Sequence, residues 1–146
     1  MSNILVQNIK HTNNTTSMSI DTSGQVSVRG EGSATTTNLQ QGLVKCFINQ
    51  SNGQTTRDSF NVGSLTDSGS GDYKTNFTNN FGNNDYVASG CSATLGTAVT
   101  VFWVAAESDY ATSDCEIKTL YVSNLDGGGT NRDSDLVNIS YSGDLA

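Results

Sequence analysis

Acidic side chains that lie close together in sequence are the first candidates for chemistry in this chain of 146 residues. Glu107 and Asp109 are two positions apart, as are Asp114 and Glu116, and this spacing places both members of a pair on the same face of a β-strand. Two carboxyl groups roughly 5–9 Å apart can hydrolyse a glycosidic bond. The one histidine, His11, lies in a polar Asn- and Thr-rich segment that suits no Ser-His-Asp triad. Because acidic loops are ordinary in an acidic protein, we predict that the chain is not an enzyme.

A glycine-rich stretch near the C-terminus carries further acids. Asp126, Asp133 and Asp135 flank or follow the glycines at 127–129, and carboxylates are ligands for Ca²⁺. Their spacing differs from the calcium loop D-x-[DN]-x-[DN]-G, so we expect a solvated turn, with no metal and no cofactor. Tyr110, which follows Glu-Ser-Asp, suits polar recognition by an exposed loop. The candidate receptor contacts are therefore Tyr110, Asp126, Arg132 and Asp133.

The three cysteines, Cys46, Cys91 and Cys115, are an odd number with no CxxC spacing. Free cysteine is among the most frequently buried residue types, so we expect buried, inert thiols. A single disulfide bond in an oxidising compartment is the alternative that the sequence leaves open.

Charge divides the chain into two parts. Residues 1–41 are neutral, and residues 42–146 carry the whole net charge of −7. The lack of a basic stripe argues against nucleic acid and against an anionic membrane surface as partners. The first residues lack the pattern of a secretory signal, and the most apolar stretch, 98–106, is shorter than the roughly 18 residues that span a membrane. If the protein works outside a cell, assembly in the host cytoplasm and release by lysis, as part of a virus particle, fits this combination.

The elements that must position these residues are predicted to be β-strands. Charged residues make up 14% of the chain and proline is absent, so turns fall to Gly, Asn, Asp and Ser. Alternating or apolar segments lie at 43–48, 59–62, 72–77, 86–91, 97–106, 117–122 and 136–141. This spacing predicts an all-β fold with a β-sandwich or jelly-roll-like head over residues 42–146. The segment 97–106 is apolar on both faces and is predicted to be a central strand.

Residues 1–41 are predicted to be an extended segment for attachment or trimerisation. Their apolar residues are too few to offset the chain entropy of a unit that folds alone, so the segment must pack on the head, on sister copies or on a scaffold. Two period-two runs at 18–20 and 26–28, linked by Asp-Thr-Ser-Gly, predict a β-hairpin. The stretch 30–37 predicts a flexible joint. The candidate docking residues are Ile4, Val6, Ile9, Met18, Ile20, Val26 and Val28.

Two stretches resemble phage structural proteins. Residues 8–26 resemble a short N-terminal segment of many marine and cyanobacterial phage proteins, with the run I-K…T-T-S-M-S-I-D-T-S-G-x-V. Residues 43–93 resemble a domain common in phage tail-fibre proteins, through KCFIN at 45–49, RDSFNV at 57–62, LTD at 65–67, GDYKTNF at 71–77 and NDY at 84–86. The chain departs from that pattern at Cys46-Phe47, where Trp is usual, and at Ser68, where Asn is common.

The resemblance implies a trimeric fibre tip, fibre segment or surface projection, and it implies no catalytic residues. The sequence as a whole therefore predicts a virion structural protein of a tailed phage, a homotrimer that joins tail, baseplate or capsid proteins and contacts a host surface glycan or protein. The alternative is a capsid decoration or cement protein, or a head fibre, that stabilises the shell at threefold sites.

Overall fold

The chain is almost entirely β-structure, which confirms the predicted all-β fold class. A computed structural model describes residues 7–10, 15–29, 36–39, 43–51, 55–94, 99–103, 107–122 and 129–145. The strands are β1 Asn8–Lys10, β2 Thr16–Ile20, β3 Val26–Arg29, β4 Thr36–Asn38, β5 Cys46–Ser51, β6 Thr55–Phe60, β7 Val62–Gly69, β8 Asp72–Phe77, β9 Val87–Ala93, β10 Val99–Trp103, β11 Asp114–Val122, β12 Gly129–Asn131 and β13 Leu136–Ser142. A short 3₁₀ helix covers Glu107–Asp109. Three antiparallel sheets lie in two compact units, Met1–Leu43 and Val44–Ala146.

The first unit contains one sheet with the strand order β1-β2-β3-β4. The predicted hairpin is present, since β2 pairs with β3 across a turn in which Gly24 has a φ of 80°. Asp21 Oδ1 accepts the N–H groups of Ser23 at 2.8 Å and Gln25 at 2.9 Å, which closes this turn. The prediction of a flexible joint at 30–37 is wrong for Thr36 and Thr37, because both residues pair with β3 as part of β4. Residues 30–35 lie outside the described residues.

The second unit, the head, is a sandwich of two sheets. One sheet has the order β10-β11-β8-β7, with β12 also paired to β11, and the other has the order β6-β5-β13-β9. Every second residue of β5, β8 and β13 is buried, so each strand presents one apolar side to the opposite sheet. The Tyr141 hydroxyl donates to Thr75 Oγ1 at 3.0 Å and links β13 to β8 across the interior.

Aromatic side chains fill one part of this interior. The buried apolar cluster comprises Cys46, Ile48, Tyr73, Phe77, Phe81, Tyr86, Cys115, Ile117, Val137, Ile139 and Tyr141. Phe77 contacts the rings of Phe81 and Tyr141 edge-on, with centroids 4.9 and 5.2 Å apart. The Tyr86 hydroxyl lies 3.0 Å from the carbonyls of both Ala111 and Asp114, and burial raises the pKa of this tyrosine. The polar ends of the buried rings therefore have partners.

Two predicted strands differ from the structure. The segment 97–106 was expected in the centre of a sheet, but β10 lies at the end of its sheet and pairs with β11. The segment 59–62 was expected to be one strand, but it divides at Asn61, where β6 of one sheet ends and β7 of the other begins. Asn61 has a φ of 58°, and its Oδ1 accepts the Asn79 N–H at 2.7 Å. Amide anchoring of this kind allows a non-glycine residue to adopt the left-handed region.

Candidate functional site

Five apolar residues of the first unit lie on one face of its sheet. Residues paired across an antiparallel sheet point to the same face, as do residues two positions apart in one strand. Ile9 pairs with Met18, which pairs with Val28, and Ile20 pairs with Val26. We call these five residues, Ile9, Met18, Ile20, Val26 and Val28, the N-terminal apolar face. They are five of the seven predicted docking residues; Ile4 and Val6 lie outside the described residues.

The N-terminal apolar face is partly open to solvent. Ile9 is 54% exposed and Ile20 is 37% exposed, and no residue of 7–10 or 15–29 is buried. The opposite face carries Ser19 and Ser27, which pair with each other, and Ser27 pairs with Asn38 in turn. A sheet that is apolar on one face and polar on the other needs a second layer to bury its apolar side. The N-terminal apolar face is therefore a candidate docking surface.

A second surface lies on the outer side of the sheet β6-β5-β13-β9, the side turned away from the core. The strand pairings align two rows of side chains across all four strands. One row reads Asp58, Asn49, Asn138 and Cys91. The adjacent row reads Phe60, Phe47, Ser140 and Ser89. We call the hollow that these residues line, apart from Phe60 at its border, the outer-face depression; its volume is about 480 Å³.

The outer-face depression combines an aromatic border with several polar groups. The rings of Phe47 and Phe60 are stacked at 6.3 Å, and Phe60 is 54% exposed. Asn49 Oδ1 is shielded from solvent and has no hydrogen-bond partner among the described residues. Asn138 Nδ2 donates to the Cys91 sulfur at 3.7 Å, which is a weak acceptor. An aromatic surface beside unused amide groups is typical of a small-ligand site.

Three of the four predicted receptor contacts are described by the structure, and each contacts other residues of the head. Asp133 is part of the sandwich structure, because its Oδ1 accepts the Gly71 N–H at 2.7 Å and the Tyr73 hydroxyl at 3.1 Å. The Arg132 guanidinium lies 5.5 Å from the centre of the Tyr121 ring. Tyr110 was expected on an exposed loop, but it is half-buried, with its ring 5.2 Å from that of Tyr86. Asp126 lies outside the described residues.

Of these predicted contacts, the described residues Tyr110, Arg132 and Asp133 do not line the outer-face depression. Phe47, Asn49, Asp58 and Asn138 were missed as site residues because no local pattern of binding chemistry marks them. The first three lie in the stretches KCFIN and RDSFNV, which carry the resemblance but were assigned no contact with a ligand. The available signal was the alternation of outward positions at 47–51 and 136–142, yet the pairing of four distant strands decides which of these positions meet.

The acid pair on β11 lies among lysines on the outer side of the other sheet. Lys74 Nζ lies 3.6 Å from both Asp114 and Glu116, and Lys118 contacts Glu116 at 3.1 Å and Asp72. The hydrogen bond from Lys118 is the main cause of a lowered pKa at Glu116, opposed by partial burial. A glycosidase general acid needs a raised pKa, so Glu116 has the opposite tuning. His11, the other catalytic residue weighed above, lies outside the described residues.

The cysteines fall into two classes, and all three are free. Cys46 and Cys115 are buried in the core, as predicted, and burial raises the pKa of Cys46 to about 12 and that of Cys115 to about 11. The prediction is wrong for Cys91, which is exposed on β9 at the end of the polar row. Because the thiolate is the reactive form, the two core thiols are protected by both burial and protonation.

Comparison with family models, with curated proteins and with solved structures found no match to this chain. In the part of the chain that the structure describes, no helix has the length and apolar character to cross a membrane. Within the same residues, no three His, Cys, Asp or Glu side chains are grouped to hold a metal ion. The function is therefore inferred from the two surfaces and the sequence.

Proposed function

We propose that this chain is a structural protein of a tailed-phage virion. The N-terminal apolar face joins it to sister copies as a homotrimer and to other virion proteins, and the head projects from the particle and contacts the host surface. The observation that carries this proposal is the N-terminal apolar face itself: Ile9, Met18, Ile20, Val26 and Val28 share one side of a single sheet.

Burial of apolar surface is the main driving force for protein association, and an open apolar sheet face supplies it. The neutral charge of residues 1–41 adds no repulsion between copies, whereas the head carries the net charge of −7 and suits a solvated projection. The resemblance of residues 8–26 and 43–93 to phage virion proteins supports the same division of roles.

The test compares two faces of the same sheet. We expect the full chain to be trimeric in solution and present in purified particles. Replacing Ile20 and Val28 by serine should yield monomers that are absent from particles, because both side chains belong to the apolar face. Replacing Ser19 and Ser27 by alanine is the matched control, since these residues lie on the opposite face, and it should leave the trimer intact.

Light scattering coupled to size-exclusion chromatography measures the number of chains in the oligomer. Mass spectrometry of purified particles shows whether the chain is incorporated. A wild-type chain that is monomeric and absent from particles would contradict the proposal. Electron cryomicroscopy then locates the chain. Density at the tail, with slow adsorption when the chain is missing, supports a fibre or tip. Density on the capsid threefold axes, with a fragile shell when the chain is missing, identifies a decoration protein instead.

A further inference from the structure

We propose that the outer-face depression of the head binds a neutral saccharide. This inference deepens the proposed contact with the host surface by naming a site and a ligand class. Its biological role rests on the proposed function, whereas the site itself rests on the geometry of β5, β6, β9 and β13. Tyr110, Arg132 and Asp133, the predicted receptor contacts that the structure describes, do not line it.

The aromatic row provides the apolar half of such a site. Sugar rings present a face of C–H groups, and these pack against aromatic rings as other apolar groups do. Phe47 lines the depression, and the exposed ring of Phe60 stacks beside it on the adjacent strand. An exposed phenylalanine on a strand surface gains from being covered by a ligand, because water is then released from apolar surface.

The polar row provides hydrogen-bonding groups for sugar hydroxyls. Asn49 Oδ1 is an unpaired acceptor, which is unfavourable, but it is shielded from solvent, so a sugar hydroxyl reaches it only when the Asn49 side chain turns outward. The Asn138 amide donates only to a sulfur, so an oxygen atom would be a better partner. Ser89 Oγ and Ser140 Oγ lie 2.9 Å apart and can accept or donate. A hydroxyl is both donor and acceptor, which matches this mixed set.

Charge selects a neutral ligand. Among the described residues that line the depression, Asp58 is the one with a charged side chain, and none is a lysine or an arginine. A sulfated, phosphorylated or uronic-acid sugar would therefore meet a carboxylate without a compensating cation, on a head that is already acidic. A neutral sugar instead donates hydroxyl hydrogen bonds to Asp58, and bonds to an ionised acceptor are the stronger kind.

The rate at which Cys91 is alkylated can measure ligand binding in the depression. Cys91 is exposed within the lining, whereas the two other thiols are buried, so iodoacetamide should modify Cys91 selectively in the folded chain. We expect at least one neutral probe among the methyl glycosides of glucose, galactose, mannose and N-acetylglucosamine, and lactose and maltose, to slow this reaction saturably. A probe at about ten times its Kd should slow it roughly tenfold, and a Kd on the order of millimolar is expected for one small site. Methyl glucuronide, the anionic counterpart of methyl glucoside, should give no protection.

Substitutions of lining residues test whether the ligand binds in the depression. Asp58→Asn and Asn138→Ala should each raise the Kd of the probe about tenfold. The first replaces an ionised acceptor by a neutral amide, and the second removes an amide group. Asp85→Asn makes the same carboxylate-to-amide change at an exposed residue outside the lining and should leave protection unchanged. Circular dichroism and the thermal midpoint of each variant establish that it is folded.

Three results would overturn the inference: no protection by any neutral probe, equal protection by the anionic counterpart, or protection that survives both substitutions. Protection that grows with protein concentration in the absence of sugar would also overturn it, by showing that this face is a contact between copies. Sugar binding by a chain that is absent from particles would refute the proposed function and leave this site standing. The two proposals therefore fail separately.

Discussion

The two units of this chain use the same strand pattern and differ in what covers it. Ile20 in β2 and Ile139 in β13 both occupy the apolar side of an alternating strand within an antiparallel sheet. Ile139 is 3% exposed, because a second sheet packs on its side of β13. Ile20 is 37% exposed. Alternation therefore defines an amphipathic strand, and burial depends on a second layer.

This difference separates folding from assembly. The head supplies both layers of its core from its own chain, with the aromatic rings of Phe77 and Tyr141 in contact between the sheets. The first unit supplies one layer, and the proposed trimer or virion contact supplies the other. A change in the head core should therefore affect unfolding, whereas a change on the N-terminal apolar face should affect association.

The largest effect on stability should come from the head core. Ile139→Ala removes methyl groups from a closed interior and should lower the free energy of unfolding by about 2–5 kcal/mol. Ile20→Ala removes the same atoms from a partly solvated face and should cost less than about 1 kcal/mol in the monomer. Urea unfolding followed by far-ultraviolet circular dichroism measures both, since residues 1–43 contain strands and no aromatic residue. Equal losses in the two variants would mean that the N-terminal apolar face is covered within one chain.

Glycines offer a second comparison between the units. Gly24 and Gly71 both have positive φ, at 80° and 68°. A Cβ atom on Gly24 would have no neighbour within 4 Å, whereas one on Gly71 would lie 2.5 Å from both the Thr119 carbonyl oxygen and the Arg132 nitrogen. Gly24→Ala should therefore cost about 1 kcal/mol from backbone strain alone, and Gly71→Ala about 2–4 kcal/mol from strain and steric overlap.

The same urea experiment tests this pair. The Gly71 variant should also loosen the adjacent loop, since the Gly71 N–H donates to Asp133 Oδ1. Faster amide hydrogen exchange near Ser134, whose N–H donates to the Tyr73 hydroxyl, would report that loosening. A Gly71→Ala chain as stable as the Gly24→Ala chain would show that β8 and the segment around Arg132 are less closely packed than described.

Local features of this fold were predictable from sequence, and features that depend on distant strands were not. The hairpin at Gly24 is set by four adjacent residues, so its turn chemistry identified it. The strand break at Asn61 depends on Asn79, eighteen residues away, and carries no proline or glycine signal. Sequence analysis therefore merged β6 with β7, and it missed the short strand β12 inside a glycine-rich region.

The candidate sites divide in the same way. Part of the N-terminal apolar face could be anticipated, because period-two alternation places Met18 with Ile20 and Val26 with Val28. That these residues make docking contacts stays a prediction. The outer-face depression combines residues from β5, β6, β9 and β13, and strand order decides which of them become neighbours. Asp133 looked like a solvated loop acid, and only its contacts with Gly71 and Tyr73 show that it supports the fold.

The smallest effect concerns the charged outer side of the head, which has no counterpart on the N-terminal apolar face. The pKa of Glu116 is lowered, mainly by the hydrogen bond from Lys118, so the folded chain binds this proton less readily than the unfolded chain. The stabilisation is therefore present above the ordinary glutamate pKa of about 4.3 and is lost as the pH falls through the lower folded value. The pKa of Lys118 is raised, mainly by its hydrogen bond to Asp72, so its contribution is lost only as the pH rises above about 10.4.

Glu116→Gln should thus cost about 0.5–1 kcal/mol at pH 7, where the network is intact, and the difference from wild type should shrink as the pH falls through the acid range. Added salt should reduce the difference at pH 7 as well, because the groups are partly exposed. Thermal unfolding across pH and salt measures both trends. A cost that stays constant from neutral to acidic pH would show that Glu116 acts through packing, and the outer side of this sheet would then resemble the N-terminal apolar face in its energetics.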